Sequence, residues 1–264
     1  CDLQIIWDPH TGTIDTSLLE GVDVIIHLAG AGIADKRWTP ERKKEIVESR
    51  IIGTQFLAQA VSQLNNPPAL FISASAVGYY GNRPPEEELD ENSSSGDGFL
   101  AEVCRKWEAA AATLKNSETT RLVFARFGVV LSKEGGMLAR QLPIFKLGLG
   151  GGVGDGRQVL SWVSIEDLPG IMLHIIEHEE LSGPINIVAP HPVSNRDFAA
   201  TLGDILHRPS FFRVPALGAK LLFGQMSEEV LLSGQNVKCR KLQESGCHFF
   251  YPELEKAIRH LLYS

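Results

Sequence analysis

The sequence is poor in basic residues, with 25 Lys and Arg against 32 Asp and Glu and a formal net charge of −7. A general nucleic-acid binder needs a basic face for the phosphate backbone, so this balance argues against that class of partner. It does not exclude a small anionic ligand, which a few local donors can hold. No apolar run approaches the roughly eighteen residues of a membrane-spanning helix. We therefore expect neither a nucleic acid nor a membrane as partner.

Cysteine is also scarce, and the four that occur, Cys1, Cys104, Cys239 and Cys247, form no CxxC pair. This usage indicates a reducing compartment, and with no signal peptide visible we expect a cytoplasmic protein. The chain begins at a cysteine, as a mature bacterial lipoprotein does. A strand pattern, Leu3–Trp7, follows at once where a lipoprotein has a flexible linker. A truncated start is therefore the better interpretation.

Short apolar runs alternate with helical patterns along the chain, which favours a parallel sheet covered by helices on both faces. The run Asp23–Ala29 is nearly continuous in apolar residues, as expected of an inner strand, and small residues follow where a backbone can approach a ligand. We predict a doubly wound α/β protein. Its predicted strands are Leu3–Trp7, Asp23–Ala29, Leu70–Ser75, Arg121–Leu131 and Ile185–Ala189.

The segment from Thr39 to Leu64 reads as one long helix, with Thr39 as N-cap and Pro40 at the first helical position. Its predicted buried stripe, at three- and four-residue spacing, is Ile46, Ser49, Gly53, Leu57, Ala60 and Leu64. Further helices are predicted over Phe99–Leu114, Ser164–Glu177 and Ser194–His207. Short helices and an aromatic cluster near the end suggest a small C-terminal subdomain, and we divide the chain into residues 1–190 and 191–264.

Two sets of sequence blocks stand out along the chain. One set comprises Asp23–Gly30, Gly53–Ala60, Phe71–Ala76, Tyr79–Gly81, Gly154–Gly156 and Gly183–Ile187, and the other comprises Arg37–Trp38, Lys106–Glu108 and Arg126–Leu131. Blocks of the first set resemble the extended short-chain dehydrogenase/reductases, which include nucleotide-sugar epimerases and dehydratases. Those of the second set are similar to an atypical "epimerase family protein" group, some members of which carry a cell-division-inhibitor label. The resemblance implies a Rossmann-type fold, NADP or NAD as cofactor, and a small hydroxylated or carbonyl substrate.

Two departures from the family pattern bear on function. The opening strand, GxxGxxG turn and helix, which hold the pyrophosphate, are absent, so we expect these residues alone to bind dinucleotide weakly. The glycine-rich run Gly148–Gly156 is interpreted as a substrate-side loop, because no helix begins directly after it. The usual Tyr-x-x-x-Lys pair is replaced by Leu100 and Cys104. Lys106 lies about 200° further round that helix and cannot substitute.

The resemblance also assigns candidate cofactor residues. Leu28, Ala29 and Gly30 follow a strand whose carboxyl end should face the nucleotide, although plain strand packing also explains them. Arg50 and Glu45 on the long helix are further cofactor candidates, and their alternative interpretation is solvated helix charges. Val130 is a candidate that could equally be a core residue. Ser73 is the last candidate and lies deeper in the strand that contains Ser75.

Ser75 is the best catalytic candidate, because a hydroxyl at this strand end can hydrogen-bond a substrate carbonyl or hydroxyl. Tyr79 and Tyr80 follow in the next loop and could supply a proton, or simply pack on the sheet. Cys104 is predicted to be a small core residue.

His174 and His178 form an HxxEH pattern, which is typical of zinc proteases. They end a helix, however, where histidines complement the negative end of the helix dipole, and we therefore predict no metal.

Two functional classes stay open at this point. One is an NAD(P)-dependent oxidoreductase or epimerase, favoured by the serine and the nearby tyrosines. The other is a regulatory protein that binds the nucleotide without chemistry, favoured by the lost Tyr/Lys pair. The sequence does not indicate the substrate, the choice between NADP and NAD, or the oligomeric state.

Overall fold

The computed structural model of the chain describes residues 5–9 and 11–264. A parallel sheet of four strands forms its centre, as the sequence predicted. In spatial order these strands are Gly183–Ile187, Arg121–Phe127, Leu70–Ala76 and Val24–His27. Helices cover both faces of this sheet, so the doubly wound α/β fold is confirmed.

The strands are β1 (Trp7–Asp8), β2 (Thr13–Ile14), β3 (Val24–His27), β4 (Leu70–Ala76), β5 (Glu88–Leu89), β6 (Arg121–Phe127), β7 (Val129–Leu131), β8 (Val159–Leu160), β9 (Trp162–Ser164), β10 (Gly183–Ile187), β11 (Val193–Ser194) and β12 (Asn236–Val237). The α-helices are α1 (Pro40–Ser62), α2 (Phe99–Ala110), α3 (Gly136–Lys146), α4 (Leu168–Glu177), α5 (Asn195–Leu206), α6 (Ala216–Phe223), α7 (Arg240–Glu244) and α8 (Leu254–Tyr263). Single turns of 3₁₀-helix include Val77–Tyr80 and Ala112–Leu114, and a π-helical turn spans Ser227–Leu231.

The long helix α1 begins where the sequence predicted. The Thr39 hydroxyl accepts a hydrogen bond from the Arg42 backbone N–H at 3.2 Å, and Pro40 occupies the first helical position. The middle of the predicted stripe is buried, and Leu57 packs into the core on one face of the sheet. A side chain at Gly53 would lie 3.4 Å from the Trp7 ring, so glycine here lets β1 approach the helix closely.

The two faces of the sheet are separated by strand alternation. In β4, Phe71 packs with α1, whereas its neighbour Ile72 packs with Ile171 and Ile175 of α4. A third apolar cluster joins α3, α5 and α8. That cluster draws residues from both sides of position 190, and the predicted division of the chain there stays a prediction.

Two of the predicted strands have other neighbours than expected. Residues Leu3 and Gln4 lie outside the described part of the chain, and Trp7–Asp8 pairs antiparallel with Thr13–Ile14 instead of joining the parallel sheet. The strand predicted at Asp23–Ala29 is an edge strand, because β4 is its one partner among the described residues. Ile26 is consequently 40% exposed. Apolar continuity reports burial on the two faces of a strand but says nothing about its hydrogen-bonding neighbours.

The predicted strand Arg121–Leu131 is broken at Gly128. The Gly128 N–H donates to the Ile187 carbonyl, while the next N–H, of Val129, donates to Ser161 at 2.8 Å. The chain thereby leaves the four-stranded sheet, and β7 starts a second parallel ladder with β9. A Cβ at Gly128 would lie 2.5 Å from the Ser161 carbonyl oxygen and 2.7 Å from a Val188 methyl group. The chain can therefore pass from the first sheet to the second because Gly128 has no side chain.

We predict that Gly128→Ala lowers the free energy of unfolding by about 1–3 kcal/mol, because backbone and core atoms must move to admit the methyl group. Urea unfolding followed by circular dichroism measures the change. Gly218→Ala in α6 is the control, since a Cβ there meets nothing nearer than 4.0 Å, and it should leave stability unchanged or slightly raised. Equal effects of the two substitutions would contradict the packing explanation.

Candidate active site

The serine strand β4 ends at a buried polar network. Ser75 is 2% exposed, and its hydroxyl donates to the Glu108 carboxylate at 2.7 Å. Because the hydroxyl has a single proton, its oxygen is left as an acceptor toward any further group. Ser73 is fully buried, and its one hydrogen bond runs to the neighbouring Ala74 carbonyl at 3.4 Å. The structure therefore places Ser75, rather than Ser73, among the polar groups.

Glu108 is held in turn by Arg126, which the sequence analysis gave no role of its own. The Arg126 Nε and Nη2 atoms donate to the two Glu108 oxygens at 2.8 and 2.9 Å. Arg126 is 3% exposed. Burial by itself lowers the pKa of Arg126, but the hydrogen bonds and negative charge of Glu108 raise it above the ordinary value. The pair is thus a bidentate bridge between β6 and α2.

Tyr80 belongs to the same network and is buried within it. Its side chain has no exposed surface, its hydroxyl donates to Asn186 Oδ1 at 2.8 Å, and it accepts from Arg126 Nη1 at 3.0 Å. Burial raises the pKa of Tyr80 to about 12. The catalytic role of Tyr80 stays a prediction, and the observed role of its phenol is to link β10 to the ion pair from within the core.

Tyr79 lies beside this network and is half-buried. The Arg126 guanidinium carbon sits 3.6 Å from the centre of the Tyr79 ring, within the range of a cation–π contact. Tyr79 also packs edge-on against Tyr80. The predicted catalytic role of Tyr79 therefore stays a prediction, and its packing role is the observed one.

The helix positions that usually carry Tyr and Lys face the turn after β4. A side chain at Gly78 would lie 3.5 Å from Leu100 and 3.7 Å from the Cys104 sulfur. Cys104 is 4% exposed, so its prediction as a small core residue is confirmed, and burial raises the pKa of its thiol to about 12. Lys106 points away and pairs with Glu102 at 2.6 Å.

The far end of the chain fixes the start of α2. Glu229 accepts hydrogen bonds from the backbone N–H groups of Phe99 and Leu100 at 3.1 and 2.8 Å. A carboxylate at this end also suits the helix dipole. The Glu229 carboxylate further accepts from Gln225, which Lys43 of α1 contacts. No local signal in the sequence marks a cap supplied from 130 residues away.

The carboxyl end of β3 is the candidate cofactor surface. Leu28 is 59% exposed, and Ala29 and Gly30 are exposed as well. Arg50 lies against this segment, where its Nη1 donates to the Ala31 carbonyl at 2.9 Å and a Cβ at Gly30 would touch it at 3.4 Å. An accessible strand end of small residues with a cation beside it fits a dinucleotide.

Arg50 also packs on the face of the Trp107 ring, with its guanidinium carbon 4.9 Å from the ring centre. This contact places Arg50 between the candidate cofactor surface and α2. Burial lowers the pKa of Arg50. The ordinary pKa of an arginine lies so far above neutrality that the side chain stays charged.

The other predicted cofactor residues have partners of their own. Glu45 pairs with Arg42 one helical turn away at 2.6 Å and is exposed. Val130 is half-buried against the core cluster of the central sheet. Their roles toward a cofactor stay predictions.

The glycine-rich run Gly148–Gly156 is followed by strand β8 and not by a helix. It is packed against the segment 211–214 through backbone bridges, and a Cβ at Gly151 would collide with the Phe212 carbonyl. Gly151 therefore serves close backbone packing. A cavity of about 160 Å³ lies beside them, with Arg196 and Arg213 in its wall.

The histidines of the HxxEH pattern are stacked, with ring centres 3.7 Å apart, and His174 hydrogen-bonds Ser245. Among residues 5–9 and 11–264 no group of three or more His, Cys, Asp or Glu side chains is arranged to hold a metal ion. Within the same residues no helix combines the length and hydropathy needed to cross a bilayer.

A parallel sheet wound on both faces, with accessible small residues at the carboxyl end of its edge strand, defines a Rossmann-type α/β protein. The model of the NAD dependent epimerase/dehydratase family matches residues 12–188, and a domain of unknown function (DUF1731) matches residues 214–261. The chain belongs to this epimerase/dehydratase family, and the resemblance seen in the sequence is confirmed.

Relatives span bacteria and mammals. An epimerase family protein of Mycobacterium bovis is 39% identical over 255 residues, covering 97% of this chain and 83% of that protein. The Homo sapiens epimerase family protein SDR39U1 is 36% identical over 263 residues, covering 98% of this chain and 87% of that protein. A crystal structure of the human protein with NADPH matches with a TM-score of 0.87 at 36% identity, covering 92% of this chain and 82% of that one.

We predict that Glu108→Ala lowers the free energy of unfolding by about 3–5 kcal/mol, because it leaves Arg126 charged, buried and unpaired. Thermal or urea unfolding measures the loss. Glu102→Ala on the same helix removes an exposed ion pair and should cost no more than about 1 kcal/mol. If the two variants lost similar stability, the network would not be the structural centre of the site.

Proposed function

We propose that the protein is an NADP(H)-dependent oxidoreductase or epimerase of the short-chain dehydrogenase/reductase type, acting on a small hydroxylated or carbonyl substrate in the cytoplasm. The observation that carries the proposal is the position of Ser75. It lies at the carboxyl end of β4, adjacent to the candidate cofactor strand β3, and Glu108 and Arg126 hold it in one orientation. The NADPH bound by the human relative supports NADP(H) as the cofactor.

The residues of this chain would hold the cofactor along β3 and α1. Leu28, Ala29 and Gly30 provide the contact surface, and Arg50 provides the positive charge. Hydride chemistry is supplied by the nicotinamide when it is bound. Within the chain, the Ser75 hydroxyl donates its hydrogen bond to Glu108, which leaves the Ser75 oxygen to accept a hydrogen bond from a substrate hydroxyl. A substrate that donates a hydrogen bond is therefore favoured over one that only accepts.

The rival function, a regulatory protein that binds the nucleotide without chemistry, also has an observation in its favour. Two of the groups that could move a proton are buried: Tyr80 lies between Arg126 and Asn186, and Cys104 is a buried thiol. A substrate-dependent change in NADPH absorbance, lost in Ser75→Ala, separates the two functions. If no sugar, quinone or small carbonyl compound changes that absorbance in the full-length protein, the regulatory function is the better one.

We expect Arg50→Ala to weaken NADPH binding by about ten- to a hundredfold, since the loss of a hydrogen bond to a charged group costs about 1.5–3 kcal/mol. Fluorescence titration of the full-length protein gives the dissociation constant. Lys44→Ala is the matched control, because Lys44 lies on the same helix and pairs only with the partly exposed Glu48. An unchanged constant in the folded Arg50→Ala variant would assign Arg50 to holding the Ala31 loop alone.

A further inference from the structure

Two segments of this acidic chain contain no acidic residue at all. Residues 135–154 and residues 205–227 have neither Asp nor Glu, although the whole chain has 32. They carry Arg140, Lys146, Arg208, Arg213 and Lys220. The local charge is therefore opposite in sign to the net charge of −7.

The two segments form one continuous surface. Gly151 bridges to Phe211, and the Gly154 N–H donates to the Val214 carbonyl at 2.9 Å. The Arg208 Nε atom donates to the Lys146 carbonyl at 3.0 Å. We call this surface, made of residues 144–149 and 208–223, the basic apolar face.

More than half of the large apolar side chains that are exposed in the described part of the chain lie on this face. They reach 75% exposure at Leu147 and 73% at Phe211. Such a concentration in two adjoining segments marks an interaction site rather than ordinary surface variation. Its members are Ile144, Leu147, Leu149, Phe211, Phe212, Val214, Leu217, Leu221, Leu222 and Phe223.

Helix α6 contributes large apolar side chains to the basic apolar face. A surface helix ordinarily turns its apolar stripe inward. In α6 the small Ala219 is buried, while Leu217 and Leu221, one turn apart, are 70% and 72% exposed. The helix therefore presents its large apolar side chains to the outside, with Lys220 beside them.

Part of the positive charge is available to a partner. Lys220 pairs with Glu228 at 2.8 Å, and Arg140 pairs with Asp35 at 2.8 Å. Lys146, Arg208 and Arg213 form no ion pair with any carboxylate of the described residues. These three cations flank the exposed leucines and phenylalanines.

We propose that the basic apolar face docks on the surface of an anionic lipid bilayer. Leucine and phenylalanine side chains enter the boundary between headgroups and acyl chains, while lysine and arginine meet the lipid phosphates. A second copy of the chain fits less well, because a two-fold contact would set Arg213 and Lys146 of both copies against like charges. The expectation from the sequence that a membrane is no partner considered only spanning helices, and this face is assembled from two separate segments.

The test is co-sedimentation of the protein with phosphatidylcholine vesicles and with vesicles containing phosphatidylglycerol. We expect binding to the anionic vesicles that weakens with added salt. Leu221→Asp should reduce the partition coefficient about tenfold or more, because it removes apolar burial and adds a negative charge. Arg213→Ala should reduce it about fivefold.

Leu173→Asp is the control, since Leu173 is 54% exposed on α4, outside the basic apolar face, and should leave vesicle binding unchanged. Circular dichroism confirms folding of each variant. The proposal is overturned if the wild-type chain ignores anionic vesicles, if Leu173→Asp and Leu221→Asp act alike, or if light scattering shows a dimer that Leu221→Asp dissociates. NADPH titration of the same variants is independent of these outcomes and tests the proposed function separately.

Discussion

The bidentate pair between Arg126 and Glu108 is the interaction on which the candidate site depends. It orients Ser75 at the end of β4, stacks under Tyr79, and reaches Asn186 of β10 through the Tyr80 hydroxyl. A buried ion pair contributes little net stability compared with a well-packed apolar core, but breaking one is costly. Its contribution here is to fix the positions of β4, β6, β10 and α2 relative to one another.

The C-terminal part of the chain acts on both the site and the outer surface. Glu229 caps α2 and so sets the position of the helix that carries Glu108. A few residues earlier, α6 exposes Leu217 and Leu221 on the basic apolar face. A partner bound at that face would therefore contact a segment adjacent to the one that fixes α2. The segment from α6 to Glu229 therefore belongs to the proposed lipid surface at one end and supports the helix of the proposed catalytic site at the other.

Local patterns predicted most of the regular structure. The N-cap at Thr39, the central strands β4 and β6 and the helices α2, α4 and α5 all follow from signals within a few residues, because capping and periodicity act over one or two turns. The errors concern neighbours. The partner of β1, the edge position of β3 and the break at Gly128 each depend on what lies beside the strand.

The sequence by itself determined the alternation of strands and helices and the family, and it made Ser75 the leading candidate for the site. Tertiary structure alone decided that Arg126, within an apolar strand, meets Glu108 of another element, and that Tyr80 turns inward while Tyr79 stacks on the guanidinium. It also decided that two segments about sixty residues apart form one basic apolar face. Local propensity acts through the backbone of a few residues, whereas charge pairing and burial depend on distances that only the folded chain defines.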